Sequence, residues 1–225
     1  MFTKTQCLSL TIPAALMLAA CDKDDKDDNP VRDVRQAIED RQLQGTLFEG
    51  ECQLKPLNAF LTGLFSEGDG AVKSAKLQYQ FKGNNLTRTT YMYTSTGCEG
   101  DPAFTMNETG TFAIQDGNTN DGGRDINLDY SKATAKAVGQ AGEKLAEDID
   151  LCGIQDWTAE EEKDVTINAK QATCLGAPVP RHVANVYRLE NDGKTLYLGV
   201  ISDSEVPDTQ RPATLNREFM FTAKK

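Results

Sequence analysis

The sequence of 225 residues has one histidine and one tryptophan, and it lacks the positive charge of a nucleic-acid-binding protein. A single histidine excludes metal sites that need two, and it restricts histidine-based catalysis to His182. Lysine and arginine number 24 against 34 aspartates and glutamates, a formal net charge of −10. Because nucleic-acid binding needs a basic face, we expect no nucleic-acid partner.

The sequence also lacks patterns that indicate catalysis or a metal site. No nucleophile motif lies near His182, so we expect a structural histidine. The sequence has no CxxC pair, so a four-cysteine zinc site is not expected. The segment 116–125, DGNTNDGGRD, resembles a calcium loop. An EF-hand loop that began at Asp116 would need glycine at position six and glutamate at position twelve, which here are Asp121 and Asn127, so we expect a turn. The prediction is a protein that is not an enzyme and uses no metal or cofactor.

The first 21 residues are typical of an export signal. Lys4 precedes an uncharged, mostly apolar stretch that is too short to span a bilayer. The stretch ends in Leu18-Ala19-Ala20-Cys21, which resembles the lipobox of bacterial lipoproteins, where the signal is cut before an acylated cysteine. We therefore predict a signal peptide over residues 1–20 and lipidation of Cys21. The alternative is an ordinary signal peptide that contains a cysteine.

Residues 21–42 are predicted to be the lipidated cysteine, an acidic tether and a short leading helix. The tether DKDDKDDNP, residues 22–30, has no apolar side chain and should be solvated. Val31, Val34 and Ile38 follow with helical spacing. The predicted location is the bacterial cell envelope, with the membrane contacted through the lipid. Asp22 resembles an inner-membrane retention signal and favours the inner membrane.

Four further cysteines, Cys52, Cys98, Cys152 and Cys174, lie within the predicted domain. An even number in an exported domain indicates two disulfides, for which three connectivities are possible. We favour Cys52–Cys98 and Cys152–Cys174, because this pairing crosslinks each half of the domain separately.

Short alternating segments predict a mainly β domain over residues 43–225. Leu77, Tyr79 and Phe81 alternate with polar residues before a turn and a second strand at 86–94. Other strands are predicted near 45–53, 103–107, 110–115, 124–133, 163–168, 183–190, 194–202 and 217–223, and a helix near 137–149. The strand spacing favours an antiparallel β-barrel or strongly curved sheet with one or two accessory helices.

Six apolar or aromatic side chains are candidates for a ligand pocket, with ordinary core packing as the alternative. Four share one face of an amphipathic helix predicted within residues 55–66, and two lie on the strand 86–94. They are Phe60, Leu61, Leu64, Phe65, Tyr91 and Tyr93. The lone tryptophan, Trp157, is expected to anchor packing near Cys152.

Several motifs occur in an order that is found in a known family. LQGTLFEGECQ, residues 43–53, is similar to an L-x-G-x-W-x-S-x-x-C-E opening, with Leu47 in place of tryptophan. YMYTSTGCEGDPAFTMNETGTFAI, residues 91–114, is similar to a tyrosine-rich strand followed by cysteine and Pro-x-Phe-[ST]. The later motifs are Cys152-Gly153, Trp157, Asp164-Val165-Thr166, Cys174-Leu175-Gly176, His182, and the segments 196–200 and 202–212.

This series resembles the domain of the adenomatosis polyposis coli down-regulated proteins, which are membrane-bound Wnt antagonists of animals. The likeness spans nearly all of residues 43–223, with residues 54–73 as an insertion. Members of that family carry two such domains and a transmembrane helix. Their fold is a lipocalin-like barrel with a hydrophobic pocket, and they recognise an acylated signalling protein. The resemblance therefore implies a capacity to hold a lipid or acyl group.

Two functional hypotheses follow. The first is a membrane-anchored lipoprotein that binds a hydrophobic or acylated ligand in its barrel. The alternative is an envelope interaction or adhesion module, in which the barrel is a scaffold and its loops bind a protein that the sequence does not identify.

Overall fold

The computed structural model describes residues 38, 40–54, 72–199 and 210–224. Within these ranges the chain forms nine strands. They are β1 (Leu47–Gly50), β2 (Ser74–Lys82), β3 (Asn85–Tyr93), β4 (Phe104–Asn118), β5 (Arg124–Ala137), β6 (Glu162–Asp164), β7 (Arg181–Glu190), β8 (Thr195–Leu198) and β9 (Met220–Lys224). Helix α1 spans Gly139–Asp148, and 3₁₀ turns lie at Leu151–Gly153 and Thr166–Asn168.

Eight strands close into an antiparallel barrel. Their order is β4-β3-β2-β1-β9-β8-β7-β5, and β4 also pairs with β5, which closes the ring. The short strand β6 extends the sheet at one end of β5. The mainly β, barrel-type fold predicted from the sequence is therefore confirmed. A ring of eight strands has an interior that side chains fill or that holds one small ligand.

The alternation of side chains explains which residues line the interior. On β2, Leu77, Tyr79 and Phe81 are buried, whereas Gln80 and Lys82 are exposed. β3 continues this pattern in register, with Leu86 opposite Phe81 on the inward side. Successive residues of a strand point to opposite faces, so the even-numbered residues of β3 face inward and its odd-numbered residues face outward.

A β-bulge bends β4 and β5 near the middle of their pairing. The register shifts between Thr109 and Gly110, which pair with Lys132 and Tyr130. A Cβ atom on Gly110 would lie 1.8 Å from the carbonyl oxygen of Asp129, so only glycine fits this position. Before the bulge β5 pairs with β7, and beyond it β5 pairs with β6.

The segment between β5 and β7, residues 139–180, folds into a lobe that covers one end of the barrel. Ala133, Ala135 and Ala137 on β5 are small and lie in one hydrophobic cluster with α1 and the Cys152–Cys174 disulfide. Trp157 belongs to this lobe cluster and is only 4% exposed, which agrees with the predicted packing role.

A second hydrophobic cluster lies inside the barrel. It contains aromatic residues of β1, β2, β4, β5, β7 and β9 and is called here the barrel cluster. The leading helix, formed by Ile38 and residues 40–43, reaches this cluster through the fully buried Leu43. The carboxylate of Asp40 accepts hydrogen bonds from Arg124 and from the Tyr187 hydroxyl, 2.8 Å away, which holds the helix against the barrel.

Two strand predictions need correction. The segments 103–107 and 110–115 form the single strand β4, because the bulge at Gly110 continues the pairing instead of ending it. The strand expected at 163–168 covers only Glu162–Asp164 and turns into a 3₁₀ helix at Thr166. The predicted helix at 137–149 is confirmed as α1. The predicted helix within 55–66 lies outside the described residues.

Among the described ranges, no helix has the combined length and apolar character that crossing a bilayer requires.

Candidate functional site

A charged layer separates the two hydrophobic clusters inside the barrel. Along β3, the inward positions run from Leu86 in the barrel cluster, through Arg88, to Met92 in the lobe cluster. Glu108 occupies the matching inward position of β4. Arg181 reaches the same layer from the start of β7, and its side chain is 6% exposed.

Glu108 lies between the two guanidinium groups. Nε of Arg88 donates to one carboxylate oxygen over 2.6 Å, and NH1 of Arg181 lies 2.5 Å from the other. Both guanidinium groups also lie over the ring of Tyr130, at 5.1 Å for Arg88 and 4.3 Å for Arg181. Cation–π contacts of this kind supplement the ion pairs. The layer is therefore held from both the β3–β4 and the β5–β7 side.

The ionisation of Glu108 follows from these contacts. Burial alone would raise the pKa of its carboxyl group, but Arg88 and Arg181 outweigh burial and hold the pKa below its ordinary value. Glu108 is therefore a carboxylate in the folded protein. Removing one member of such a buried group is costly, because it leaves an uncompensated charge.

Aromatic side chains fill much of the barrel cluster. The ring of Tyr79 meets Phe221 edge to face at 5.1 Å, and Phe221 meets Phe219 in the same way at 4.9 Å. Phe81 and Phe112 form a third edge-to-face pair at 5.0 Å. Such pairs favour a fixed arrangement of rings.

The structure places Tyr91 and Tyr93 on the outward side of β3. Tyr91 pairs with Lys76 on one side and Thr105 on the other, and its hydroxyl donates to Gln78 Oε1 over 2.9 Å. Tyr93 is 7% exposed and pairs with Ser74. Neither side chain faces the barrel interior. Phe60, Leu61, Leu64, Phe65 and Cys21 lie outside the described residues.

Tyr91 lines a cleft of about 440 Å³ on the outer surface of β3, β4, β5 and β6, called here the outer cleft. Two adjacent rows of outward side chains build it. One row runs Tyr91, Thr105, Lys136 and Glu162, and the other includes Thr89 and Asn107. Glu160 completes the lining on the lobe side.

Hydrogen bonds hold the lining of the outer cleft in place. Thr89 donates to Asn107 Oδ1 over 2.8 Å, and the Asn107 amide donates to Glu162 over 3.3 Å. Lys136 Nζ lies 2.9 Å from Glu160, whose other oxygen accepts from the Gly139 amide.

Both glutamates of the cleft are ionised at neutral pH. The hydrogen bond from Lys136 lowers the pKa of Glu160, and the hydrogen bond from Thr134 lowers the pKa of Glu162. The two carboxylates therefore line the cleft as hydrogen-bond acceptors.

The structure also places His182 and the segment 116–125. His182 Nδ1 lies 2.5 Å from the Asp129 carboxylate on the outer surface. In the segment 116–125, the Thr119 hydroxyl bonds Asp121 and accepts from the Gly123 amide, as a turn requires. Among the described residues, no group of three or more histidine, cysteine, aspartate or glutamate side chains is arranged to hold a metal ion. Both favoured disulfides, Cys52–Cys98 and Cys152–Cys174, are confirmed.

The charged layer was missed at the sequence level. The alternation of side chains along the strand could have revealed this layer. Arg88 lies an even number of residues from Leu86 and Met92, so a strand prediction places all three side chains on the inward face. Glu108 has the same relation to Met106. A charge at an inward position needs a partner, and the pairing of β3 with β4 supplies it.

Comparisons with known proteins give no further assignment. No protein-family model matches the chain, and no curated protein sequence is significantly similar to it.

Proposed function

We propose that the protein is a bacterial envelope lipoprotein, anchored through Cys21, whose barrel binds a hydrophobic or acylated ligand. The observation that carries the proposal is the closed eight-stranded barrel, whose interior holds two apolar clusters on either side of the charged layer. Barrels of this size include those that enclose one small ligand. The resemblance to the adenomatosis polyposis coli down-regulated family supports the same ligand class.

Trp157 offers a direct test of ligand binding. It is the only tryptophan in the sequence, and it is buried in the lobe cluster at one end of the barrel. A dansyl-labelled fatty acid bound in the interior should receive excitation energy from Trp157, and unlabelled oleate should displace it. Trp157→Phe should abolish the energy transfer but keep probe uptake. Uptake that oleate does not compete away, or no uptake at all, would contradict the proposal.

The natural ligand can be sought without a probe. The protein, purified gently from membranes, is extracted with solvent, and the extract is analysed by mass spectrometry. The proposal predicts a recurring lipid or acylated compound in stoichiometric amount. A clean extract after gentle purification contradicts a tight lipid carrier.

The anchor has a separate test. Cells expressing the protein are labelled with an alkyne-bearing palmitate analogue, and the protein is isolated and visualised. Label on the wild type and its loss in Cys21→Ser are expected, with Cys7→Ser as the matched control that keeps the label. Fractionation of the membranes then tests the inner-membrane location that Asp22 favours.

One observation favours the alternative, an envelope interaction module. Edge-to-face rings such as Tyr79, Phe221 and Phe219 fill part of the barrel cluster, as they would in a scaffold. The two hypotheses predict different results in the extraction experiment, because a scaffold binds no extractable lipid in its barrel. They also differ in crosslinking on intact cells, where only the interaction module predicts a stable protein partner.

A further inference from the structure

The proposed lipid function does not explain the outer cleft, because the lining of this cleft is polar and faces away from the barrel interior. Its volume of about 440 Å³ is nevertheless within the range of small-molecule sites. We propose that the outer cleft is a second, separate binding site, and that its ligand is a neutral saccharide.

The alternation of donors and acceptors along the cleft carries this proposal. Glu160 and Glu162 offer only acceptors, Lys136 offers only donors, and Thr105 offers both. The ammonium group of Lys136 pairs with Glu160, and Lys136 lies beside Glu162 in the row across β5 and β6. A ligand that bonds to these closely spaced donors and acceptors must carry its own hydrogen-bond donors and acceptors on neighbouring atoms. Hydroxyl groups on adjacent carbons do this.

Tyr91 supplies the apolar surface that a sugar ring requires. Its hydroxyl is fixed by Gln78, 2.9 Å away, and the side chain is half-buried. Burial, followed by the nearby Glu49 carboxylate, raises the pKa of Tyr91, so the phenol stays neutral. The ring is therefore a fixed, uncharged platform beside polar groups, and the C–H face of a sugar can pack against it.

Other ligand classes fit the cleft less well. An acyl chain would desolvate Lys136 and two carboxylates without returning hydrogen bonds. An anion would meet Glu160 and Glu162, whose charges exceed the single charge of Lys136. A cation would have to displace the ammonium group of Lys136 from its ion pair with Glu160.

The test uses the oxidised full-length protein and a panel of neutral oligosaccharides built from glucose, galactose and N-acetylglucosamine. Binding is first detected on an array and then measured by titration calorimetry. We expect saturable binding that Tyr91→Ala and Glu162→Gln each weaken about tenfold or more, since each loses a contact worth over 1 kcal/mol.

Matched controls separate the cleft from general effects. Tyr197→Ala removes a tyrosine of similar exposure on the outer side of β8, where it stacks under Arg217, 4.7 Å from the guanidinium carbon. Glu161→Gln alters an exposed glutamate between the two that line the cleft. Both controls should bind as the wild type does. Thr105→Val, which keeps the branched shape and removes one hydroxyl, tests the same site with little risk to folding.

Three outcomes overturn the proposal. The first is no binding to any member of the panel. The second is equal loss of binding in Tyr91→Ala and Tyr197→Ala, when thermal melts show that both variants are folded. The third is tighter binding of spermidine or of inorganic phosphate than of every saccharide, which would assign the cleft to a charged ligand. The fatty-acid assay is independent of all three, so the failure of either site is recognisable.

Discussion

Arg88 on β3 and Glu108 on β4 lie directly opposite each other on the inward side of the barrel, with Nε and Oε2 2.6 Å apart. Both side chains are at most 1% exposed. Arg181 approaches the other oxygen of the same carboxylate. One buried carboxylate thus joins strands from two sides of the barrel, at the level where the lobe cluster meets the barrel cluster.

Replacing Glu108 should therefore be among the most costly single changes. Glu108→Gln keeps the size of the side chain but leaves two buried guanidinium groups without their carboxylate. We expect a loss of about 3–5 kcal/mol in the free energy of unfolding. Urea denaturation followed by circular dichroism measures it. The control is Glu161→Gln on the exposed lobe surface, which should change stability by less than about 0.5 kcal/mol. Similar effects of the two changes would contradict the arrangement.

The same carboxylate gives a pH dependence of known sign. The pKa of Glu108 in the folded protein is below its value in the unfolded chain, about 4.3. Its contribution to stability is therefore complete above that pH and is lost as the pH falls through the lower, folded pKa. Other carboxylates also titrate in acid, so the informative quantity is the stability difference between wild type and Glu108→Gln. That difference should be constant near pH 7 and shrink below about pH 4. If this stability difference grew in acid, the pKa of Glu108 would have to be raised by folding, and the prediction would be wrong.

At Gly142 in helix α1, helix propensity and tertiary packing predict opposite effects of a change to alanine. Alanine is favoured over glycine in helices by about 1 kcal/mol, so Gly142→Ala looks stabilising. In the structure, a Cβ atom on Gly142 would lie 2.4 Å from the carbonyl oxygen of Ala103. We therefore expect a destabilised protein, with a lower melting temperature. Gln140→Ala, at an exposed position of the same helix, should be neutral or slightly stabilising. A higher melting temperature for Gly142→Ala would show that the lobe packs less closely than described.

The parts of the fold that were predictable from the sequence are those set by local patterns. Strand alternation predicted the hairpin of β2 and β3, and the even cysteine count predicted two disulfides, whose observed pairing was the favoured one of three. The outer cleft was not predictable, because it depends on the register that brings Tyr91, Lys136 and Glu162 into one row from sequence-distant strands. The β4–β5 register also shifts at the Gly110 bulge next to that row, and no local pattern encodes the register.

The Cys152–Cys174 disulfide should stabilise the lobe selectively. Replacing both cysteines by serine removes a crosslink over a separation of 22 residues, for which loop entropy indicates about 3 kcal/mol. Since Trp157 lies in the same cluster as this disulfide, its fluorescence should shift to longer wavelength at lower urea concentration. The matched variant replaces Cys52 and Cys98, neither of which belongs to the lobe cluster. This variant should lose stability while the Trp157 emission of its folded state stays unchanged. A shifted emission of the folded variant would contradict the prediction that only the Cys152–Cys174 disulfide holds the surroundings of Trp157.

The leading helix should be released from the barrel by a change at a single residue. The Asp40 carboxylate binds both Arg124 and the Tyr187 hydroxyl, and Arg124 is largely buried. Asp40→Asn should cost about 1.5–3 kcal/mol, because it removes charge-assisted hydrogen bonds. Asp148→Asn is the control: its pair with Lys144 is exposed and one helical turn away, so its loss should stay within about 0.5 kcal/mol. Hydrogen exchange followed by mass spectrometry localises the effect. Faster exchange in Asp40→Asn is expected at residues 40–46, next to the buried Leu43, with β3 still protected. Uniform acceleration across the barrel would instead mean that Asp40 stabilises the whole domain and does not act as a local clamp.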